Sequence, residues 1–277
     1  MTFKIIKVDE VSPALGAEIS NIDLGSALDS ETVKEIRDAL LRYRVIFFRD
    51  QDITPEKHLK FAKYFGDIVE YPMVNGLKDY PHVVPVHKKA DEQYNFGGLW
   101  HSDTSYLPKP PMGAILVARI LPAKGGDTLF ANMVKAYEAL SAPMKELLDG
   151  LVATNSSAKS DVVKSRVDSQ KDMRSPPEPL IAEHPIVRRH PETGEKSLYV
   201  NFGHTVNICG MKDEESLPLL DFLFSHQRKE EFCCRFHWLP GSIAFWDNRA
   251  TLHYPLNDYH GHERLMHRVT LAGDVPV

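Results

Sequence analysis

The stretch Leu99-Trp100-His101-Ser102-Asp103-Thr104-Ser105-Tyr106 sets an imidazole and a carboxylate two residues apart. Its aromatic and hydroxyl residues favour extended chain, in which positions i and i+2 share a face, so His101 and Asp103 are expected side by side. A neutral nitrogen donor and a hard oxygen donor make two corners of a metal site. Taken alone the pair is weak, because most His-x-Asp pairs are surface hydrogen-bonding residues. A third ligand, open coordination positions and a cosubstrate site would make it specific.

The chain offers 13 histidines. The best-placed third ligand lies in Phe245-Trp246-Asp247-Asn248-Arg249-Ala250-Thr251-Leu252-His253-Tyr254, where a strand leads through a turn into His253. His253 follows Asp103 by 150 residues (253 − 103 = 150), a separation that a jelly roll closes by laying distant strands side by side. Two histidines and one carboxylate on one face leave positions of the ion open, the arrangement of non-haem Fe(II) oxygenases. Arg264 and Arg268 follow, four apart in a segment read as entering the last strand, so both guanidiniums can enter one pocket. A buried arginine needs an anion, and its planar fork matches a carboxylate bidentately. Surface ion pairs to Glu263 or Asp258 are the plainer alternative.

These groups need a scaffold. Short strands are expected at Phe3–Val8, Ala14–Ile19, Val45–Phe48, Ala114–Ile120, Asp127–Ala131, Leu198–Asn201, Phe232–Trp238, Ile243–Trp246 and Arg268–Ala272. Helical spacing places helices after the caps Asp29 or Ser30, Thr54 and Ser141, in Met133–Leu140, and in Asp213–Phe224 with Leu217, Leu220 and Leu223 inward. Tyr71 to Gly98 reads as a long loop beside the metal strand, and Asn155 to Glu183 as a polar insertion or lid. Many short strands with Gly/Pro turns and a few peripheral helices favour a mainly β jelly roll, here a single domain over residues 1–277.

Composition narrows the classes. With 277 residues, 43% apolar and 26% charged, this is an ordinary globular chain. A net charge of -5 argues against a general nucleic-acid binder. Three cysteines, Cys209 and the adjacent Cys233 and Cys234, suggest neither a disulfide framework nor a thiolate metal site. No apolar run of about 18 residues and no apolar leader core occur, so neither a membrane span nor secretion is expected. A cytoplasmic enzyme is.

Four motifs together resemble the taurine dioxygenase / 2,4-dichlorophenoxyacetate dioxygenase family of Fe(II)- and 2-oxoglutarate-dependent oxygenases. They are Trp100-His101-Ser102-Asp103, Gly125-Gly126-Asp127-Thr128, Trp246-Asp247-Asn248-Arg249 through His253, and Asp258-Tyr259 through Arg264 and Arg268. The resemblance runs from Gly16-Ala17-Glu18-Ile19 to the final strand. It implies a double-stranded β-helix with Fe(II) held by His101, Asp103 and His253. Thr128 and Arg264 would bind the distal carboxylate of 2-oxoglutarate, and Arg268 an acidic group of the primary substrate. O2 would be the second cosubstrate, succinate and CO2 would be released, and a C–H bond would be hydroxylated. Because Asp103 is present, where halogenating relatives lack the carboxylate, hydroxylation is the implied outcome.

The chain departs from the taurine enzyme where substrate is chosen. After Gly66-Asp67 it reads Ile68-Val69-Glu70-Tyr71-Pro72, without the histidine that grips a sulfonate, and His204 stands where an aromatic wall residue is expected. The expected substrate is therefore a small organic anion, a sulfonate or carboxylate, other than taurine. Tyr71, Asn95 and His204 are further pocket candidates, and a homo-oligomer, dimer or tetramer, is expected. A mononuclear zinc hydrolase could use the same three ligands, but it leaves Thr128, Arg264 and Arg268 without a joint purpose. A non-catalytic jelly-roll module would need none of the triad.

Overall fold

The computed structural model describes residues 3–159 and 178–277. Lys7–Glu10 (β1) and Ala17–Ser20 (β2) pair antiparallel. Asp29 then caps helix α1 (Ser30–Tyr43), its side chain accepting from the Thr32 amide at 2.7 Å. After Val45–Phe48 (β3), Thr54 as cap and Pro55 in the first turn start α2 (Pro55–Lys63). Next come β4 (Ile68–Val69), β5 (Val84–Lys88), β6 (Gly113–Ile120) and β7 (Thr128–Asn132). Helices α3 (Met133–Glu138) and α4 (Ala142–Leu148, capped by Ser141) lead to β8 (Val152–Ser156). The chain continues through β9 (Ile181–Pro185), β10 (Val187–Arg189), β11 (Lys196–Leu198), β12 (Thr205–Ile208) and α5 (Asp213–Gln227). It closes with β13 (Cys233–Phe236), β14 (Ile243–Asp247), β15 (Thr251–Pro255) and β16 (Arg264–Leu271).

The large sheet has the order β1-β2-β3-β14-β6-β16, and β4 and β5 share the outer edge of β16. A smaller sheet, β13-β7-β15, faces it. Period-2 alternation explains the layering. On β3, Val45 and Phe47 join Leu116, Phe130, Phe236, Trp246 and Met266 between the sheets, whereas Ile46 and Phe48 meet Ile36, Leu40 and Phe61 of α1 and α2 behind the large sheet. Behind the small sheet, Ala131 and Leu252 pack with Leu220, Leu223 and Phe224 of α5. The result is the expected double-stranded β-helix with peripheral helices. No described helix is long and apolar enough to cross a membrane.

Several expectations need correction. Residues 99–106 are not a strand: His101 makes one antiparallel bridge, to His253, and the chain then turns, with Thr104 at φ +42°. The segment 71–98 is not loop throughout, because β5 pairs with β16. Pro85 is tolerated there because β5 is an edge strand with a single neighbour. The segment 155–183 begins and ends in paired strand, Asn155 opposite Ala182 and Ser156 opposite Ile181, and its centre, 160–177, lies outside the described residues. In α5, Leu220 and Leu223 are buried but Leu217 is 48% exposed, since the inward stripe runs through Ser216, Leu220, Leu223 and Gln227.

Candidate active site

β15 carries His253, and the bridge to His101 fixes the two residues through paired backbone hydrogen bonds of 3.1 and 2.9 Å. Their rings lie 4.1 Å apart, centroid to centroid. The turn between β14 and β15 holds the two residues after His101. Ser102 Oγ donates to the Asn248 carbonyl at 3.0 Å, and the Asp103 amide donates to Asn248 Oδ1 at 3.4 Å. Asp103 Oδ1 then lies 3.7 Å from His101 Nε2 and 3.8 Å from His253 Nε2.

His101 Nδ1 is hydrogen-bonded to the Leu99 carbonyl at 2.6 Å, which leaves Nε2 directed at the carboxylate. His253 is held by packing, 4.9 Å from Trp246 and 6.1 Å from Phe130 between ring centroids. One ligand atom from each of the three residues lies within 4.8 Å of the others, and no other such trio occurs among the described residues. Two imidazole nitrogens and one hard anion, close enough for one small cation to reach all three, fit divalent iron.

Charge supports that fit. Burial disfavours the Asp103 carboxylate, but the Arg268 guanidinium above all, with the Asn248 hydrogen bond, holds the carboxyl well below the usual range. Burial, then the neighbouring His101, pushes His253 well below its ordinary value against the pull of Asp103, so it presents a neutral lone pair.

His101 and His253 open into a cavity walled by Val86, Phe96, Leu116, Phe130, Trp246 and Pro255. Thr128, Arg264 and Arg268 supply its remaining polar lining with His101 and His253. On β16, alternation turns Arg264, Met266 and Arg268 inward, at 4%, 0% and 5% exposure. The expectation that both arginines share a pocket is met.

Arg264 Nε and Nη2 have no hydrogen-bond partner, and the guanidinium lies 5.7 Å from the Trp238 ring. The same indole donates to Thr128 Oγ1 at 3.0 Å, tying the two residues to one support. Gly126 (φ +72°) is needed here: a Cβ would fall 3.1 Å from Arg264 Cδ. A buried guanidinium without a carboxylate partner has the chemistry to bind an anion.

Tyr71 is not among the residues lining the cavity, but its ring lies 5.1 Å from the Arg268 guanidinium. Asn95 and His204 do not line the cavity. Asn95 is buried with its amide donating to the Pro255 and Leu256 carbonyls, clamping the preceding loop to the end of β15. His204 packs 6.0 Å from His101 and 4.9 Å from Tyr106, on neither wall of the cavity.

Sequence reasoning missed Trp238, which carried no motif, and gave no role to Trp246 and Asn248, although their motif was noticed. Trp246 Nε1 donates to Asn248 Oδ1 at 3.0 Å and to Asp103 Oδ2 at 3.3 Å. Gly97, read only as loop, has φ +74° and lies so close to His101 that a Cβ would be 3.0 Å from Cε1.

Residues 7–270 match the family described as taurine catabolism dioxygenase TauD, TfdA family. Over 280 residues the chain is 36% identical to an alpha-ketoglutarate-dependent sulfate ester dioxygenase of Pseudomonas putida, covering 98% of this chain and 91% of that protein. A taurine dioxygenase structure from Burkholderia xenovorans superposes with a TM-score of 0.84 at 38% identity, covering 99% and 91% of the two chains. The structure of AAD-2 with Mn(II) and N-oxalylglycine superposes at 0.80 with 29% identity over 100% and 99%. Nothing in these likenesses supports a zinc hydrolase.

Proposed function

The chain belongs to the taurine catabolism dioxygenase TauD, TfdA family, and from that premise we propose that it oxidises an apolar-bodied organic anion anchored by Arg268. It is an Fe(II)- and 2-oxoglutarate-dependent dioxygenase. In this reading His101, Asp103 and His253 hold the iron. Thr128 and Arg264 hold the distal carboxylate of 2-oxoglutarate. Arg268, flanked by Tyr71, orients the substrate anion. Iron, 2-oxoglutarate and O2 together supply an oxidant for a C–H bond, with succinate and CO2 released.

The protein's own part is placement. Asp103 stays ionised because Arg268 lies against it. The cavity wall of Phe96, Leu116, Phe130 and Trp246 keeps water from the reacting carbon and favours an alkyl or aryl body. A sulfate ester or sulfonate suits these features, supported by the name of the Pseudomonas relative, and a carboxylate is the alternative head group. With a sulfate ester, hydroxylation of the carbon bearing the ester oxygen gives a product that collapses to an aldehyde and inorganic sulfate. A cytoplasmic dimer or tetramer belongs to the same reading, and light scattering tests the assembly.

The observation that carries the function is that one cavity joins the three-ligand cluster to an unpaired buried arginine. Anaerobic titration with Fe(II) and 2-oxoglutarate should develop the weak visible charge-transfer band of the chelate. Its absence in protein shown to bind both would overturn the assignment.

A further inference from the structure

Arg264 is not the only buried cation at its end of the cavity. Lys88 ends β5 directly opposite Arg264 in the antiparallel register, with Val86 opposite Met266 and Val84 opposite Arg268. Residues paired in this way project from the same face. Arg264, Arg268 and Val86 all line the cavity, so the Lys88 side chain leaves the sheet on the inner side, beside Arg264. Lys88 is 2% exposed, and its Nζ has no hydrogen-bond partner. The ammonium sits 4.7 Å from the Tyr259 ring centroid.

Two like charges on directly opposed positions are destabilising, and more so when buried without a counter-ion. The carboxylates whose charge reaches Arg264, Asp127 and Asp258, are engaged elsewhere. Asp127 pairs with Arg235 at 2.6 Å and His237 at 2.8 Å, and Asp258 accepts from the Gly126 amide at 2.7 Å. A lysine that is there only for packing would be better replaced by methionine, which fills similar space without a charge.

We propose that Lys88 is a positioning residue of the cosubstrate site, a second fixed charge behind Arg264 that makes the clamp select a 2-oxo acid with a distal carboxylate. This rests on the assignment of Arg264 to that carboxylate. The ammonium acts through space: a single carboxylate lying against Arg264 relieves the repulsion between both cations, whereas an uncharged tail relieves neither.

The test is calorimetric binding, under anaerobic conditions with Fe(II), of 2-oxoglutarate and of 2-oxovalerate, the five-carbon 2-oxo acid that lacks the distal carboxylate. In Lys88→Met the preference for 2-oxoglutarate should fall about tenfold, through 2-oxoglutarate alone. The melting temperature without cosubstrate should hold or rise. Lys88→Arg should restore the preference. An unchanged preference in Lys88→Met, equal losses for both acids, or a variant that fails to fold would overturn the proposal, the last marking a structural ammonium. Arg264→Ala separates the two layers. If it keeps the preference, the clamp assignment itself falls, and if it alone abolishes the preference, only the role of Lys88 falls.

Discussion

Arg268 Nη1 lies 2.9 Å from Asp103 Oδ1, the carboxylate oxygen that also faces both histidines. The residue assigned to the substrate and the residue assigned to the metal are therefore one electrostatic unit. The same cation that would orient a substrate anion keeps the carboxylate ionised for the metal.

For the metal, His101→Ala or His253→Ala should abolish 2-oxoglutarate turnover and weaken iron binding with little change in fold. Asp103→Ala should differ, because it strands Arg268 in the interior. Removing one partner of a buried pair costs about 3–5 kcal/mol, so its melting temperature should drop where those of the histidine variants do not. Retained turnover in His253→Ala, with His260 or His262 substituting, would refute the ligand set.

Arg264→Ala should raise the 2-oxoglutarate requirement steeply, by the roughly 2–5 kcal/mol expected for truncating a buried hydrogen-bonded charge pair. Iron affinity, measured separately, should be nearly unchanged. Equal losses of both would mean that the arginine is structural.

Arg268→Ala should impair oxidation of the primary substrate far more than binding of 2-oxoglutarate. A panel of alkyl sulfates, sulfonates and aryloxy- and alkyl-carboxylates, read by succinate release, identifies the head group. Stimulation by neutral or cationic compounds alone would remove Arg268 as the anchor.

Acid stability should be set partly outside the active site. Burial, then the nearby Arg119, lowers His58 to about 3 and His267 to about 4, from 6.5. Below about 6.5 the unfolded chain takes up protons that the folded chain refuses, so stability falls as pH drops from there toward 4. His267→Gln, which keeps an acceptor for Arg119 Nε at 3.1 Å, should flatten that decline in denaturant midpoints measured across the range. An unchanged slope would show that His267 titrates alike in both states.

The sequence was most legible where chemistry and period coincide. Arg264 and Arg268 were paired by strand alternation alone, and Asp29, Thr54 and Ser141 announced their helices by capping chemistry. The strand assigned to 99–106 failed because residues of strand propensity are held by Asn248 and one bridge, contacts that a local window does not contain. β8 and β9 escaped notice because their polar residues read as insertion, and Trp238 because its role depends on a partner 110 positions away. Lys88 lies within the segment 71–98 that reads as loop, and burial of a lysine has no local signature.

The bridge between His101 and His253 has a topological consequence. Two positions 152 residues apart (253 − 101 = 152) meet through a single pair of backbone hydrogen bonds, so an ion bound by both side chains would act as a reversible cross-link closing a loop of more than half the chain. The entropy of such a closure grows only slowly with loop length, but the fastening is local. Iron would pin the turn after residue 98 to β15, and with it the strap that Asn95 ties to Pro255 and Leu256. Limited proteolysis between residues 89 and 100 should accordingly be slower in iron-loaded protein than after chelation, which would make the metal a rivet for the wall of its own pocket.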